Sequence, residues 1–337
     1  MIYLTGGTGL LGSHLLYTLV QKGYAVRALR RSEMASNETL KVFGYYEKDP
    51  RTLFNKIEWV EGNLLDMPVI KDHLDGIEEI YHSAAMVSFD ARDRKKMEAI
   101  NIGGTAQLVD LAMLKNIKKF CFVSSVAAIG PRVGDHPADE SCIWEKNNES
   151  HWYSWTKFKS EMEVWRGIAE GLQAVIVNPS IILGTGNWHR GSGQMFTTIH
   201  KGLAFYPPGI TGYVAVEDVV NIMITLMEKG YFGERYIVTA EDLYFKDLFK
   251  WIAEALGSKT PGIKTKPWMM AVAWRLMWLY SKMSGNPPKI TRESAKAGFN
   301  IRYFSNDKIK NLIGYDFMSI RESINKTAET YLAEIQS

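Results

Sequence analysis

The feature that most constrains the fold of this chain is a glycine-rich turn close to its first residues. A short apolar run, Ile2–Thr5, leads directly into glycines at positions 6, 9 and 12, and a helical pattern follows. A strand that turns sharply into a helix presents free backbone N–H groups and the positive end of the helix dipole, which together bind a pyrophosphate. The backbone can approach a ligand that closely only where Cβ atoms are missing. The turn therefore predicts a dinucleotide site, formed by Gly6, Thr8, Gly9, Leu10, Leu11 and Gly12.

The first half of the chain alternates short apolar runs with longer helical patterns. Six runs are strand candidates: Ile2–Thr5, Ala25–Leu29, Ile57–Val60, Glu79–His82, Phe120–Ser124 and Ala174–Asn178. Helical patterns lie between most of them, for example from Ser13 to Lys22. Strand–helix alternation at this spacing predicts an α/β fold in which helices cover both faces of a parallel sheet. We therefore expect a doubly wound parallel sheet of the Rossmann type.

The pattern changes after about residue 180, where loops rich in Gly and Pro appear and the C-terminal third becomes mostly helical. A chain of 337 residues is long enough for one large domain and a smaller lobe. We expect a dinucleotide-binding domain over residues 1–180, to which residues 213–240 return, and a substrate lobe formed by residues 181–212 and 241–337. The charged, tyrosine-rich stretch Ser36–Phe54 is expected to be a surface insertion between the second and third strands.

Composition and charge argue against several classes of function. The 40 Lys and Arg residues are scattered among 37 Asp and Glu residues, whereas a nucleic-acid surface needs a basic stripe or cluster. No uncharged apolar stretch reaches 18 residues, so an integral membrane span is not expected. The histidines show no metal-ligand spacing, so no metal site is proposed. Two cysteines, Cys121 and Cys142, do not make a disulfide scaffold, and no signal peptide is recognised, which favours a cytoplasmic protein.

The stretch from Trp268 to Tyr280 is unusually rich in tryptophan and methionine. Such side chains make adaptable apolar walls. Three interpretations stay open. The stretch is a lobe helix packed on the core, a lid over an apolar substrate, or a helix on a membrane surface with Arg275 and Lys282 at the lipid headgroups.

The end of the second strand candidate indicates which dinucleotide binds. An acidic residue there would bind a ribose 2′-OH, whereas an arginine would bind a 2′-phosphate. This chain has Arg30 and Arg31 at that point and no acid. Guanidinium groups bind phosphate oxygens bidentately. The sequence therefore predicts NADP as the cofactor, with NAD as the alternative. If the two arginines have no role in binding, they belong to a solvated basic turn.

Two serines follow the fifth strand candidate, and a tyrosine–lysine pair stands about thirty residues beyond them. Ser124 and Ser125 lie at the carboxyl end of a parallel strand, which faces the ligand crevice. Tyr153 and Lys157 are four residues apart in a helical pattern, so they share one helical face. A phenol with its usual pKa near ~10 is a poor base at neutral pH, and a nearby ammonium group stabilises the phenolate. The pair is therefore predicted to exchange a proton with a substrate oxygen that a serine hydroxyl holds.

The order of these motifs resembles that of the extended short-chain dehydrogenase/reductase family, within the NAD-dependent epimerase/dehydratase superfamily. The resemblance covers nearly the whole chain and is closest to the branch similar to dihydroflavonol 4-reductase. It implies that Tyr153 and Lys157 are the catalytic pair and that Ser125 is the catalytic serine. Asn101 is similar to the helix asparagine of the family's proton relay, and Asn63 stands where the family usually has an Asp that contacts adenine. Residues 178–184 look like the segment that binds the carboxamide end of the nicotinamide. The cofactor contacts that it implies are Arg30, Arg31, Asn63, Leu64, Ser83, Ala84, Ala85, Ser124, Tyr153, Lys157, Pro179, Ser180 and Ile181.

The resemblance implies an NADP(H)-dependent oxidoreductase that reduces a carbonyl group, or oxidises the alcohol, of a small and partly apolar substrate. The first alternative is a sugar-nucleotide epimerase or dehydratase that keeps NAD; such enzymes share the same core but more often carry an acid at position 30. The second alternative is a non-catalytic dinucleotide sensor, a class that tends to lose the Tyr–Lys pair. The family also implies a homodimer formed through the helices that carry Asn101 and Tyr153.

Overall fold

The computed structural model describes residues 1–132, 136–145, 151–284 and 291–336. The strands in these residues are β1 Ile2–Thr5, β2 Val26–Arg30, β3 Glu58–Glu61, β4 Glu79–His82, β5 Lys119–Val123, β6 Ala174–Pro179, β7 Ile181–Leu183, β8 Phe205–Tyr206, β9 Ile210–Ala215, β10 Glu234–Val238, β11 Glu241–Tyr244 and β12 Ile263–Lys264. The helices are α1 Leu10–Gln21, α2 Asn37–Phe43, α3 Pro50–Phe54, α4 Met67–His73, α5 Arg94–Glu98, α6 Gly104–Leu114, α7 Trp152–Ala169, α8 Gly193–His200, α9 Val216–Lys229, α10 Phe245–Ala255, α11 Pro267–Ser284, α12 Arg292–Ala297, α13 Asp307–Ile313 and α14 Ile320–Gln336. A π-helical turn, Ala99–Gly103, joins α5 to α6.

Seven of these strands form one parallel sheet in the order β10-β6-β5-β4-β1-β2-β3. The strand order reverses at β1, which pairs with β2 on one side and with β4 on the other. A doubly wound sheet binds its ligand in the crevice at the carboxyl ends of the strands, where such a reversal occurs. The predicted Rossmann-type fold is therefore confirmed, and its crevice lies at the glycine turn that follows β1.

The strand β6 shows why this sheet is covered by helices on both faces. All six of its residues are buried. Val175 and Val177 pack with residues of α1 and α9, whereas Ala174 and Ile176 pack on the other face with residues of α6 and α7. Successive side chains of a strand point to opposite faces, so an uninterrupted apolar run fills two cores at once. Each fully buried Val or Ile contributes about 1.5–3 kcal/mol, which keeps the strand ends that carry the site in fixed positions.

A smaller three-stranded sheet, in the order β11-β9-β7, belongs to the second part of the fold. Residues of α8, α10 and α14 form a core with it, including Phe196, Tyr213, Leu248 and Ile324. Residues 210–215 therefore pair in this smaller sheet, whereas residues 234–238 join the large one as β10. The expected division of the chain into two domains stays a prediction.

The stretch Ser36–Phe54 lies between β2 and β3, as expected, and most of its residues are exposed or half-buried. It forms α2 and α3, and Val42 and Phe43 are buried in the core beside α1. The ring of Phe43 meets the ring of Tyr17 edge-on, with 5.4 Å between the ring centres. The sequence did not indicate this anchor, because the charged and tyrosine side chains of the stretch outnumber the few apolar residues that form it.

Candidate active site

In the glycine turn between β1 and α1, the fold leaves no room for a Cβ atom at two of the glycines but leaves room for one at a third. Gly6 has φ +79°, and a Cβ there would lie 2.6 Å from the backbone N of Ala84. A Cβ at Gly12 would lie 2.1 Å from the carbonyl O of Gly6. At Gly9 the same atom would meet only that oxygen, at an ordinary 3.4 Å. Gly9 is exposed and precedes α1 without a capping side chain, which leaves the first N–H groups of the helix open to an anion. The turn therefore fits a pyrophosphate.

Arg30 lies at the end of β2, close to an acid on the neighbouring strand. Its Nη2 is 3.2 Å from Oε1 of Glu61, and its Nη1 donates to Oγ of Ser36 at 3.2 Å. Its guanidinium carbon lies 5.7 Å from the centre of the Trp59 ring. Arg31 is exposed and has no ion pair with the residues that the structure describes. Of the two arginines predicted to bind a 2′-phosphate, Arg31 is thus the one whose charge is uncompensated.

The predicted adenine segment follows β3. Oδ1 of Asn63 accepts a hydrogen bond from N of Leu65 at 3.1 Å, so the side chain closes a turn. Leu64 is buried, and a Cβ at Gly104 would lie 2.7 Å from its side chain. Gln107 donates to the carbonyl O of Leu64 at 2.9 Å. The first turns of α6 therefore fix Leu64, while Asn63 is held by its own turn.

Residues 83–86 leave β4 and run along the end of β1. Oγ of Ser83 donates to O of Thr5 at 2.8 Å, and N of Ala84 donates to Oγ1 of Thr5 at 3.3 Å. Asn101 then fixes Met86, because its Oδ1 accepts from Met86 N at 2.7 Å and its Nδ2 donates to Met86 O at 3.0 Å. These bonds hold the segment that contains three predicted cofactor contacts beside the glycine turn.

Tyr153 and Ser125 are brought together by the fold, although 28 positions separate them. Their hydroxyl groups lie close enough for Ser125 to lower the pKa of Tyr153. Burial of its hydroxyl raises the pKa of Tyr153 to about 12, and the neighbouring Ser125 opposes that rise. Oγ of Ser125 also accepts from N of Ala127 at 3.1 Å, which helps to direct the hydroxyl. Tyr153 is therefore neutral at physiological pH and able to donate a proton.

Lys157 lies one turn further along α7 and is buried. Its Nζ donates to O of Val123 at 2.7 Å and lies 4.6 Å from the centre of the Phe122 ring. Burial lowers the pKa of Lys157 to about 8, and the negative charge of Glu161 opposes that fall. The ammonium group is therefore charged at neutral pH and loses its proton as the pH rises through about 8.

Behind the predicted pair lies a buried carboxylate that the sequence reasoning missed. Oε1 of Glu161 accepts from Oγ of Ser124 at 2.5 Å and from Nδ2 of Asn178 at 2.5 Å, while Oε2 lies 3.0 Å from Nη1 of Arg235. Burial raises the pKa of Glu161, and its bonds to Ser124, Arg235 and Asn178 oppose that rise. The signal that could have found Glu161 is its spacing: it follows Lys157 by four residues, on the same helical face.

Asn101 ties the π-helical turn to α7. Its Nδ2 donates to Oγ1 of Thr156 at 3.1 Å, and its carbonyl O accepts from Oγ of Ser160 at 2.8 Å and from Oγ1 of Thr105 at 2.6 Å. Together with the bonds to Met86, these contacts set α7 against the segment 83–86. π-helical turns of this kind occur frequently at functional sites. The relay role that the resemblance implies for Asn101 stays a prediction.

The predicted nicotinamide segment, Pro179 to Ile181, crosses from the large sheet to the small one. Pro179 ends β6 and Ile181 begins β7. Between them, N of Ser180 donates to the last carbonyl of β10 at 3.0 Å. Asn178, just before the segment, donates to the carbonyl O of Ser125 at 3.0 Å. The segment therefore lies beside the predicted catalytic serine.

The described residues contain neither a metal-binding cluster nor a membrane-spanning helix. Within those ranges no group of three or more His, Cys, Asp or Glu side chains is placed to hold a metal ion. Over the same part of the chain, no helix is both long and apolar enough to cross a membrane.

Known proteins share both the sequence pattern and the fold. The sequence profile of the NAD dependent epimerase/dehydratase family matches residues 2–239. Sterol demethylase protein B of Methylococcus capsulatus (strain Bath) is 31% identical over 274 residues, which cover 79% of this chain and 77% of that protein. Cinnamoyl-CoA reductase 1 of Petunia hybrida is 23% identical over 273 residues, which cover 75% of this chain and 77% of that protein.

Solved structures with the same architecture include UDP-glucose 4-epimerase from Thermotoga maritima with UDP-glucose, which has a TM-score of 0.79 over 99% of both chains at 20% identity. The dTDP-glucose 4,6-dehydratase DesIV from Streptomyces venezuelae, solved as a double mutant with NAD, has a TM-score of 0.78 over 98% of this chain and 97% of that one at 19% identity. The fold and the site thus define an NAD(P)-dependent enzyme of the extended short-chain dehydrogenase/reductase type. The chain belongs to the NAD-dependent epimerase/dehydratase family.

Proposed function

We propose that this protein is an NADP(H)-dependent oxidoreductase that reduces a carbonyl group, or oxidises the corresponding alcohol, of a small and partly apolar molecule. The observation that carries the proposal is the placement of the Tyr153 and Ser125 hydroxyl groups next to each other, in the same crevice as the buried ammonium group of Lys157. The crevice also contains the glycine turn that fits a pyrophosphate. A proton donor, Tyr153, a cation, Lys157, and a dinucleotide site thus share one edge of the sheet.

When bound, NADP(H) supplies or accepts the hydride. Ser125 holds the substrate oxygen by a hydrogen bond, and Tyr153 donates its proton to that oxygen during reduction. The phenolate left behind is stabilised by the Lys157 ammonium group, which Val123 holds in place through its carbonyl O at 2.7 Å. In the oxidising direction the same phenolate removes the proton from the alcohol.

The preference for NADP rests on the two arginines after β2. Arg31 has a free guanidinium group among the described residues, and phosphate is a suitable partner for it. The pairing of Arg30 with Glu61 favours a second candidate, an NAD-dependent epimerase or dehydratase, because Glu61 already neutralises that arginine. Such an enzyme oxidises and re-reduces one substrate without net change in its cofactor.

A titration with NADPH and NADH, followed by nicotinamide fluorescence, separates these two candidates. The protein is first checked for cofactor that survives dialysis. A strong preference for NADPH in protein purified empty would support the reductase. Bound NAD that survives dialysis would overturn it in favour of the epimerase or dehydratase.

The names of two relatives support a partly apolar substrate, since one is a sterol demethylase protein and the other a cinnamoyl-CoA reductase. A screen of aldehydes and ketones with NADPH would provide an assay. Tyr153→Phe should then lower kcat by about 10²–10⁴ while leaving NADPH affinity nearly unchanged. The matched control is Tyr24→Phe, which removes a surface hydroxyl bonded to Glu228 at 2.7 Å and should keep full activity. Retained turnover in Tyr153→Phe would refute the mechanism.

We also propose a cytoplasmic location, which the state of the two cysteines supports. Cys121 and Cys142 are unpaired in the structure, and Cys121 is buried. Protein purified without reductant should therefore show two titratable thiols once it is unfolded, and a disulfide between them would contradict the proposal. The homodimer implied by the family stays a prediction that light scattering can test.

A further inference from the structure

The helix α11 exposes most of its apolar side chains to solvent. Of its 18 residues only Ser281 is buried. The exposed fraction is 64% for Trp268, 59% for Leu276 and 82% for Met283. Apolar surface left in water costs about 25 cal/mol for each Å² that could be buried. The exposed side chains of α11 therefore give up stabilisation that they would gain if another surface covered them.

The exposed apolar residues form one continuous stripe. At about 100° for each residue along a helix, five of them fall within an arc of about 80°. These residues, here called the outer stripe, are Trp268, Val272, Leu276, Leu279 and Met283. Ser281 lies on the opposite side of the helix and accepts a hydrogen bond from Arg92 at 3.4 Å. The outer stripe therefore faces away from the protein, which argues against both a packed core helix and a lid closed over the crevice.

Two cations border the outer stripe, and each of them lies near a tryptophan ring. The guanidinium carbon of Arg275 lies 4.6 Å from the centre of the Trp274 ring, and Nζ of Lys282 lies 5.5 Å from the centre of the Trp278 ring. Neither cation forms an ion pair with the described residues. Arginine and lysine at the edge of an apolar face are typical of helices that lie in the interface of a bilayer.

The charge of the surrounding sequence has one sign. Between Glu254 and Glu293 the chain carries seven basic residues and no acid, although the whole chain has a net charge of only +3. The seven are Lys259, Lys264, Lys266, Arg275, Lys282, Lys289 and Arg292. A second copy of the chain docked symmetrically on the outer stripe would bring like charges together, which costs free energy. An anionic lipid surface instead matches the apolar stripe and the positive charge at once.

We propose that α11 binds this protein to anionic lipid surfaces through its outer stripe, with Arg275 and Lys282 among the headgroups. The inference does not depend on the proposed reaction, since it rests on the exposure and charge of α11. It has a consequence for the site, because Arg92 belongs to the loop that follows the cofactor segment 83–86. Docking through α11 would place that edge of the crevice near the lipid.

The test is flotation of the full-length protein with vesicles, in the absence of cofactor. Vesicles of phosphatidylcholine alone are compared with vesicles in which about a third of the lipid is phosphatidylglycerol. We expect binding to the anionic vesicles, little binding to the neutral ones, and a strong decrease in 1 M salt, where the Debye length falls to about 3 Å.

Two substitutions with matched controls identify the surface. Leu276→Gln should weaken binding about tenfold or more, whereas Leu114→Gln should not, although both leucines are 59% exposed. Arg275→Glu with Lys282→Glu should weaken binding about thirtyfold or more. The same net charge change made elsewhere on the surface, in Lys56→Glu with Lys201→Glu, should have a much smaller effect.

Three results would overturn the proposal. The first is wild-type protein that remains unbound to anionic vesicles at low salt. The second is α11 variants that bind as well as the wild type while their urea unfolding is unchanged. The third is a wild-type dimer, measured by light scattering, that Leu276→Gln converts to monomers without any vesicle binding, since that result would assign the outer stripe to a second copy of the chain.

Discussion

Replacing Glu161 with glutamine tests the buried charge behind the predicted catalytic pair. The substitution keeps the shape of the side chain and an oxygen that can accept from Ser124 and Asn178, whose donors lie 2.5 Å from the carboxylate. It removes the negative charge that faces Lys157 and Arg235. We therefore expect a small change in packing and a large change in electrostatics.

The effect on Lys157 can be worked out from the helix. Residues four apart have Cβ atoms about 6 Å apart, and two unit charges at that distance interact by about 3 kcal/mol at an effective dielectric constant of about 20. The charges themselves lie at the ends of the two side chains, and at a separation of up to about 12 Å the same expression gives about 1.4 kcal/mol, which is about one pKa unit. The pKa of Lys157, about 8 in the wild type, should therefore fall to near 7 in Glu161→Gln. At pH 7.5 the protonated fraction would drop from about three quarters to about one quarter, and kcat/KM by about threefold.

Arg235 limits the cost in stability. Its Nη1 loses a carboxylate at 3.0 Å, but the guanidinium group keeps its bonds to the carbonyl oxygens of Glu140, at 2.7 and 3.0 Å, and of Cys142, at 3.0 Å. Removing one partner of a buried ion pair costs about 3–5 kcal/mol, and the remaining bonds favour the lower end of that range. We expect the free energy of unfolding to fall by about 3 kcal/mol, measured by urea denaturation.

The assay is the pH profile of kcat/KM for carbonyl reduction, with NADPH affinity measured alongside. The decline at high pH should begin about one pH unit lower in Glu161→Gln than in the wild type. The matched control, Glu161→Asp, keeps the charge on a shorter side chain and should keep the wild-type profile even where it loses stability. A wild-type profile in Glu161→Gln, together with lowered stability, would show that Glu161 has only a structural role.

Further predictions concern the glycine turn, Arg31 after β2 and the buried Lys157. Gly9→Ala should change the free energy of unfolding by less than about 1 kcal/mol, yet weaken NADPH binding at least about tenfold by calorimetry, because its Cβ would occupy the open cradle. Gly12→Ala should instead fail to give stable folded protein, since its Cβ would lie 2.1 Å from the carbonyl O of Gly6. Arg31→Ala should weaken NADPH binding about tenfold and leave NADH binding unchanged; an equal loss for both would exclude contact with a 2′-phosphate. In the wild type, kcat/KM for reduction should fall as the pH rises through about 8, where Lys157 loses its proton, and a profile flat to about pH 10 would contradict this role.

The fold could be predicted because parallel strands leave a local signal. Such strands are buried on both faces and therefore appear as continuous apolar runs. The candidate Ala25–Leu29 became Val26–Arg30, and Ile57–Val60 became Glu58–Glu61, each shifted by a single residue. The glycine spacing placed the crevice as well, since Gly6 is required by its φ of +79° and Gly12 by its contact with the carbonyl O of Gly6, and both features are local to the turn.

Contacts between distant parts of the chain could not be predicted in this way. The spacing of Glu161 places it on the helical face of Lys157, but it does not reveal the partner of its charge, because Arg235 approaches it from β10, 74 residues later. Glu61 likewise meets Arg30 only because β3 pairs with β2 at that register. Both pairs depend on which strands become neighbours, so the electrostatics of the site follow from the topology.

Asn101 shows how a residue can have a fixed position and still leave its chemical role open. Both hydrogens of its Nδ2 are used, by Met86 O and by Thr156 Oγ1, and its carbonyl O accepts from two hydroxyl groups. Its Oδ1 accepts from Met86 N, which leaves one lone pair of that oxygen for a further donor. A proton that leaves Tyr153 by way of Lys157 can therefore reach Asn101 in only two ways. It binds that lone pair, or it displaces one of the hydrogen bonds that hold α7. Any relay through Asn101 is thus coupled to the position of the helix that carries both proposed catalytic side chains.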